Sequence, residues 1–383
     1  MTKWSWGGIS VTVLSLFIAA CAGPPDDPAP EDEAASQELP APEGESAHDA
    51  FLANLAHHCG EAFPGEALQF PDDDPDFATD PPVVMHIREC SPDEVRIPVV
   101  VGDNRSRTWI FTRTGEGVDL RHDHRSEDGT PEANTFYGSF VAHPPVASEP
   151  PTPNRHEFKT EAQGGSVAGW IVEIVPGERY AYGTRRDGEW GYRFEFDLSD
   201  PVPPPPDPWG HPPVGEVASV SETQEGFLEN LARHCGQAFH GQITQRPETD
   251  QLFRGDEVLT VHFRHCEENR LELPFHVEDN RSRTWILQRT TAGLDLRHDH
   301  RYPDGRPEPG GSTWYGAPTR EPGTVERQEF LREAQDGVVT GWAIEIVPEE
   351  RYTYGTIRNG EWNYRLDFDL SEPVEVPPAP WGH

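Results

Sequence analysis

Lysine is nearly absent from this chain: only Lys3 and Lys159 occur among its 383 residues. Basic residues total 31 against 67 acidic ones, giving a formal net charge of −36. A chain so poor in positive charge cannot neutralise a phosphate backbone or cling to an anionic lipid surface, so nucleic acid is excluded as a partner. The sequence has no Gly-x-Ser-x-Gly, no His-Glu-x-x-His and no phosphate-cradling glycine loop. Its carboxylates are too numerous to single out a catalytic pair, so no catalytic residue and no obligatory cofactor are assigned. Cysteine is scarce, at five, and lacks Cys-x-x-Cys spacing, which argues against a cysteine-held zinc. The apolar run from Ile9 to Ala20 is too short to cross a bilayer comfortably as a helix.

That run follows Lys3 and has the length of a signal-peptide core. It ends in Ile18-Ala19-Ala20-Cys21, which resembles the lipobox of bacterial lipoproteins. The resemblance implies cleavage after residue 20, lipidation of Cys21 (palmitate among its acyl chains), and attachment to the bacterial cell envelope. Residue Ala22 is not aspartate, which in a Gram-negative host implies sorting to the outer membrane. Several acyl chains on one residue anchor far more firmly than one. Ala22 to Ala50 carries nine carboxylates, several prolines and neither Lys nor Arg. Such a segment cannot bury enough apolar surface to offset chain entropy, and residues 21–50 read as a disordered acidic tether.

Internal repetition is the strongest signal in the rest of the chain. Phe51-Leu52-Ala53-Asn54-Leu55 matches Phe227-Leu228-Glu229-Asn230-Leu231, and Asp103–Trp109 repeats residue for residue at Asp279–Trp285. Leu-Arg-His-Asp-His-Arg occurs at 120–125 and again at 296–301. Each copy closes on a proline-rich strap ending Pro-Trp-Gly-His, at 208–211 and 380–383. These matches divide the chain into a first domain (51–211), a linker (212–221) and a second domain (222–383). Setting Cys21 aside, Cys59 and Cys90 occupy the same places in one copy as Cys235 and Cys266 in the other. Pairing within each copy is the simplest of three connectivities, and an exported chain permits it.

Within a copy, Phe51, Leu52 and Leu55 have helical spacing, and Ser221 with Gln224 reads as a capping box. The remainder consists of β-branched and aromatic runs separated by turn residues: 83–89, 95–101, 105–113, 118–125, 157–161, 169–175, 180–186 and 192–198. Asp128-Gly129 and Asp304-Gly305 read as turns. About eight strands with short connections favour an antiparallel meander closed on itself. The pattern resembles lipocalin and fatty-acid-binding-protein barrels. The fold class is therefore mainly β: two tandem antiparallel lipocalin-like barrels, each with a leading helix and one disulfide. The run Arg-Ser-Arg-Thr-Trp followed by Leu-Arg-His-Asp-His-Arg also resembles uncharacterised secreted bacterial proteins, which implies no activity.

The chemistry-bearing segment is the hairpin Arg105–Arg125 and its counterpart Arg281–Arg301. Alternation places Arg105, Arg107, Trp109 and Phe111 on one strand face, and Val118, Leu120, His122 and His124 on one face of the next. A two-residue turn at Gly115-Glu116 sets His122 opposite Trp109 and His124 opposite Arg107. Asp119, Arg121, Asp123 and Arg125 form an alternating-charge face expected to meet water. Arg105, Arg107, Trp109, His122 and His124, with Arg281, Arg283, Trp285, His298 and His300, form a candidate site for an apolar anionic small ligand: arginine supplies forked donors and the aromatic wall supplies area. The competing reading is a satisfied polar network at the barrel mouth. A third is a metal site or metal-dependent enzyme, with His86 joining His122 and His124, and His262 joining His298 and His300, because neutral imidazole suits zinc, copper or iron. Trp170, Trp190, Trp342 and Trp362 read as core rather than sugar platforms, and His143 and His156 as exposed. The reading as a whole is an envelope lipoprotein acting as a binding or structural module.

Overall fold

A computed structural model describes residues 46–383, apart from 73–76, 78, 116, 143–150, 162–166, 188, 251–252 and 310. The signal run, Cys21, most of the acidic tether and His143 lie outside the described residues. Each repeat opens with a short helix, α1 (Ala47–Ala56) and α2 (Glu222–Ala232). Both begin on a reciprocal capping box, Ser46 with Asp49 and Ser221 with Gln224. Phe51, Leu52 and Leu55, and in the second copy Phe227, Leu228 and Leu231, point into the barrel core.

The first barrel contains β1 (Ala62–Gln69), β2 (Val83–His86), β3 (Glu89–Cys90), β4 (Glu94–Val101), β5 (Asn104–Thr114), β6 (Gly117–His124), β7 (Tyr137–Ala142), β8 (Arg155–Glu161), β9 (Val167–Val175), β10 (Arg179–Arg186) and β11 (Glu189–Asp197). The second contains β12 (Ala238–Gln245), β13 (Leu259–His262), β14 (His265–Glu267), β15 (Arg270–Val277), β16 (Asn280–Thr290), β17 (Gly293–His300), β18 (Tyr315–Pro318), β19 (Arg327–Leu331), β20 (Thr340–Val347), β21 (Arg351–Arg358), β22 (Glu361–Trp362) and β23 (Arg365–Asp369). The sheet order is β7-β6-β5-β4-β2-β1-β11-β10-β9-β8, repeated as β18-β17-β16-β15-β13-β12-β23-β21-β20-β19. All pairings are antiparallel, and the first long strand of each repeat pairs with the last. What remains is one seam per barrel. It is crossed by the Ser139 hydroxyl donating to the Lys159 carbonyl, and by a bridge between Thr319 and Phe330. Two nearly closed barrels result, as the sequence pattern implies.

The ring has more strands than the eight expected. β1 contains Pro64-Gly65, and β7 is a six-residue run holding Gly138, so neither carries a clean β signature. Pro98 and Pro274 are tolerated mid-strand because each lies where one short neighbour has ended and the next has not begun. The disulfides join Cys59 to Cys90 and Cys235 to Cys266, each with Cα atoms 6.1 Å apart, the within-copy pairing. Each one staples the turn after the helix to the short strand beside β4 or β15.

The alternating-charge face does not meet water. Asp119, Arg121, Asp123 and Arg125 are all buried, as are Asp295, Arg297, Asp299 and Arg301. The reason is that the outer faces of β6 and β17 pack against each other, barrel against barrel. Arg125 bonds Asp123 at 2.8 Å within its own strand and reaches Asp295 of the other barrel at 3.4 Å. Arg301 does the same with Asp299 (2.7 Å) and Asp119 (3.2 Å). The pattern is reciprocal, as in a two-fold homodimer interface in which one patch meets its own copy. Beside the ion pairs lies an apolar cluster of Ile110, Phe136, Ile286 and Trp314, with Phe136 and Trp314 stacked at 5.5 Å and 7°. Arg297 lies 4.7 Å from the Phe136 ring centre and Arg121 6.0 Å from that of Trp314.

The straps seal this contact. His211 bonds Asp123 and His383 bonds Asp299, each at 3.0 Å. The strap carbonyl of Gly210 accepts from Thr291 N–H of the other barrel's hairpin turn at 3.1 Å, and Gly382 O accepts from Gly115 N–H at 3.4 Å. Removing one member of a buried pair strands its partner's charge, a loss of about 3–5 kcal/mol. Arg301→Met removes the cation that Asp119 and Asp299 share and leaves them only Arg121 and His383, so it should lower unfolding stability in urea titration by about 3 kcal/mol, the lower end of that range. Arg306→Met breaks only the exposed Arg306–Asp304 pair and should leave the urea midpoint unchanged.

Candidate functional site

The hairpin register is the expected one. Trp109 faces His122 and Arg107 faces His124 across β5–β6, and Trp285 faces His298 and Arg283 faces His300 across β16–β17. Both turns have two residues, so the same side chains reach the same end of each barrel interior. Arg105 and Arg281 leave the group. Each donates from Nη1 to a strap carbonyl at 2.9 Å, Asp207 O and Ala379 O respectively, and Arg105 also lies near the Trp209 ring. One arginine per barrel remains on the inner side, Arg107 or Arg283.

His122 is fully buried and both its ring nitrogens are used. Nδ1 lies 3.1 Å from the Tyr137 carbonyl, which can only accept, so Nδ1 carries the proton. Nε2 then accepts from the Tyr182 hydroxyl at 2.8 Å. Gly138 makes this possible, because a Cβ there would fall 1.8 Å from Leu120 O and hold β7 away from β6. The imidazole stacks on Tyr137 at 4.7 Å and 7°, and Tyr182 stacks on Trp109 at 4.0 Å. His298 repeats the arrangement with Tyr315 O, Tyr354 Oη and Trp285. Burial pushes both imidazoles down to about 3, so both are neutral at physiological pH.

Nearer the barrel end, Nε2 of His124 pairs with the Tyr137 hydroxyl and Nε2 of His300 with the Tyr315 hydroxyl, both at 3.1 Å. Burial and the facing arginine hold these two imidazoles at about 4. Glu132 and Glu308 stand at the rim, each 3.9 Å from Nδ1 of its histidine. In the second barrel the Arg283 Nη1 is buried and has no hydrogen-bond partner among the described residues. Burial also lowers the Arg283 pKa, opposed by Tyr315, Glu308 and Tyr354. Trp342 forms the adjacent wall, 4.9 Å from His298, with Arg332 4.6 Å from its ring centre. Trp170 takes the same place in the first barrel, 4.9 Å from His122.

His86 and His262 do not join these groups. Met85 and Ile87, like Val261 and Phe263, face the core, so alternation turns both histidines to the outer side of the barrel while His122 and His298 face inward. Among the described residues no group of three or more His, Cys, Asp or Glu side chains is arranged to hold a metal ion. His122 and His298 already spend both nitrogens, so the residues present do not fit the three-histidine set. His156 is not exposed: it is buried, bonded to His48 at 2.8 Å and stacked on Phe51 at 3.9 Å. Trp170 and Trp342 pack against the cores, whereas Trp190 and Trp362 are half-buried under arginines, with Arg185 and Arg193 over one and Arg327 and Arg365 over the other.

The partners missing from the sequence reading are tyrosines. The repeated Tyr-Gly at 137–138 and 315–316, and Tyr-x-Tyr-Gly-Thr at 180–184 and 352–356, were the available signal. A histidine whose pKa is lower in the folded than in the unfolded state takes up its proton first when unfolded. Its contribution is therefore fully present above about 6.5 and is lost as pH falls toward about 3. Stability should drop by about 2 kcal/mol for each of His122 and His298 between pH 6.5 and 5. Asp123 and Asp299, held well below the usual carboxylate range by Arg125 and Arg301, lose their contribution only at lower pH. Urea midpoints measured across pH 5–7.5 check this, and His122→Gln should flatten the slope.

No family model matches the sequence, and no curated protein matches it. Among solved structures, a protein of unknown function from the DUF3598 family of Nostoc punctiforme aligns at 11% identity over 85% of this chain and 98% of its own, with a TM-score of 0.21. The core factor of S. cerevisiae aligns at 6% identity over 84% of this chain and 52% of its own, with a TM-score of 0.12. At these scores neither likeness bears on fold or function.

Proposed function

We propose that this chain is an envelope-anchored binding module whose two barrels each present an arginine–histidine–tyrosine mouth to a small apolar anion. One observation carries the reading. The Arg283 Nη1 is a buried donor without an acceptor among the described residues, set beside the aromatic surface of Tyr315, Tyr354 and Trp342. An unmet buried donor is costly, and a carboxylate or sulfonate entering the mouth would supply the acceptor. The aromatic wall would cover the apolar part of the same molecule. Two mouths on one chain double the capacity, and raise avidity for any ligand that carries two such groups.

A specific observation also favours a purely structural role. His122 and His298 are neutral, fully bonded and packed among aromatic rings, which is how an interior looks when its polar groups serve only one another. The two readings part on Arg283. With dodecanoate as probe and tryptophan fluorescence as readout, Arg283→Ala and Arg107→Ala should each weaken binding at their own mouth by about 1.5–3 kcal/mol. Saturable binding that neither substitution alters, or no binding at all, would leave the structural role.

Export and anchoring rest on Lys3, the run Ile9–Ala20 and Cys21, and two barrel disulfides suit an oxidising compartment. Labelled palmitate should appear on the full chain expressed in a Gram-negative host, and Cys21→Ala should abolish the label.

A further inference from the structure

The two barrels differ under their straps, and the difference isolates a cationic group in the second. In the first barrel Arg88 pairs with Glu89 and, at 2.9 Å, with the strap carboxylate of Asp207. The second barrel keeps the arginine, as Arg264, but has His265 where Glu89 stands and Ala379 where Asp207 stands. Arg264 pairs with no carboxylate among the described residues, and its buried Nη1 has no hydrogen-bond partner. Arg281 reaches the same strap residue, donating to Ala379 O at 2.9 Å.

A second change adds a donor. Val100 of the first barrel is replaced by His276, which is 3% exposed and whose Nε2 has no hydrogen-bond partner among the described residues. On β13, Leu259 and Val261 face the core, so Thr260 and His262 face outward, and the register sets His276 opposite Thr260. His262, Arg264, His276 and Arg281 thus meet on the outer face of the second barrel, beneath the strap. Burial lowers both imidazoles, and among the described residues the charges that act on His262 and His276 are those of Arg264, His265, Arg281 and His262 itself, all basic. Their counterpart His86 feels both Asp207 and Glu89. Glu272, set opposite His265 by the strand register, is already held by Arg270 at 2.8 Å.

We infer that this strap-covered face of the second barrel is a binding site for a small oxyanion, which takes the place that the Asp207 carboxylate holds in the first barrel. Replacing Asp with Ala vacates a carboxylate's volume beside two guanidinium groups, and His276 turns an apolar wall into a donor. In a chain of net charge −36, a cationic cluster that pairs with no carboxylate among the described residues is a departure that the first barrel does not share. The site lies on the opposite face of the sheet from the mouth, and does not depend on the mouth's role.

The test uses the full chain and inorganic phosphate, with sulfate as a second probe, followed by titration calorimetry at low ionic strength. One equivalent of phosphate should bind. Ala379→Asp, which restores the internal carboxylate, should weaken that binding at least tenfold, and His276→Val at least threefold. Arg88→Gln, at the matching place in the first barrel, should leave it unchanged. Near-ultraviolet circular dichroism checks that each variant is folded, and the two second-barrel substitutions test the site independently. Vesicles containing phosphatidic acid, added to the full chain carrying Cys21→Ala so that no acyl anchor intervenes, separate the two sources of such a group: co-sedimentation abolished by Ala379→Asp assigns a lipid headgroup, and phosphate binding without co-sedimentation assigns a free anion. No saturable binding of either anion, or binding that Ala379→Asp and His276→Val leave intact, overturns the assignment.

Discussion

The structure depends on four buried charges exchanged between two copies of one strand. Asp119 of β6 and Arg125 just after it meet Arg301 and Asp295, placed alike at β17, so each barrel supplies one cation and one anion to the other. In a site shielded from water each charge would be prohibitive alone, and the reciprocal arrangement leaves none alone. The same carboxylates that orient the arginines along their own strands, Asp123 and Asp299, also receive the strap histidines His211 and His383. One network therefore fixes the barrel contact and the two straps together. It also fixes the mouths, because β6 and β17 present their charged residues outward to the contact and their histidines inward to the mouth.

Much of this architecture was legible. Repeated Leu-Arg-His-Asp-His-Arg, the paired cysteines and the apolar spacing of Phe51, Leu52 and Leu55 led directly to two disulfide-stapled barrels with a leading helix. The hairpin register followed from a two-residue turn and strand alternation, and the structure has it. The charged face of β6 was not legible, for a physical reason. Alternating Asp and Arg reads identically whether water or an equally charged copy covers it, and the copy lies 176 residues away. Once two copies are known, a repeated patch of balanced charge beside Ile110 and Ile286 is the remaining clue. His156 misled for a related reason: its partner His48 lies before the first repeated residue, so the pair has no mark in the local sequence.

The copies share the ion pairs where the barrels meet and the histidine–tyrosine pairs at the mouths, but they differ at several other positions, Phe136 against Trp314 in the contact among them. His48 and His156 of the first barrel are matched by Gln224 and Gln328 in the second, both buried. Asp207, Glu89 and Val100 are matched by Ala379, His265 and His276. The first set changes how the leading helix docks, and the second changes the charge under the strap. Repetition thus keeps one geometry while the outer face of a single barrel acquires its own chemistry. That combination suits a module with two like mouths and one unlike site better than a plain duplication.

If the buried exchange of charges makes the two barrels one body, they must unfold together. Differential scanning calorimetry of the full chain at neutral pH measures this most directly, because the ratio of calorimetric to van't Hoff enthalpy counts the cooperative units. The account predicts a single transition with a ratio near one. Two resolved transitions, or a ratio near two, would mean that the barrels fold independently and that the ion-pair network does not bind them.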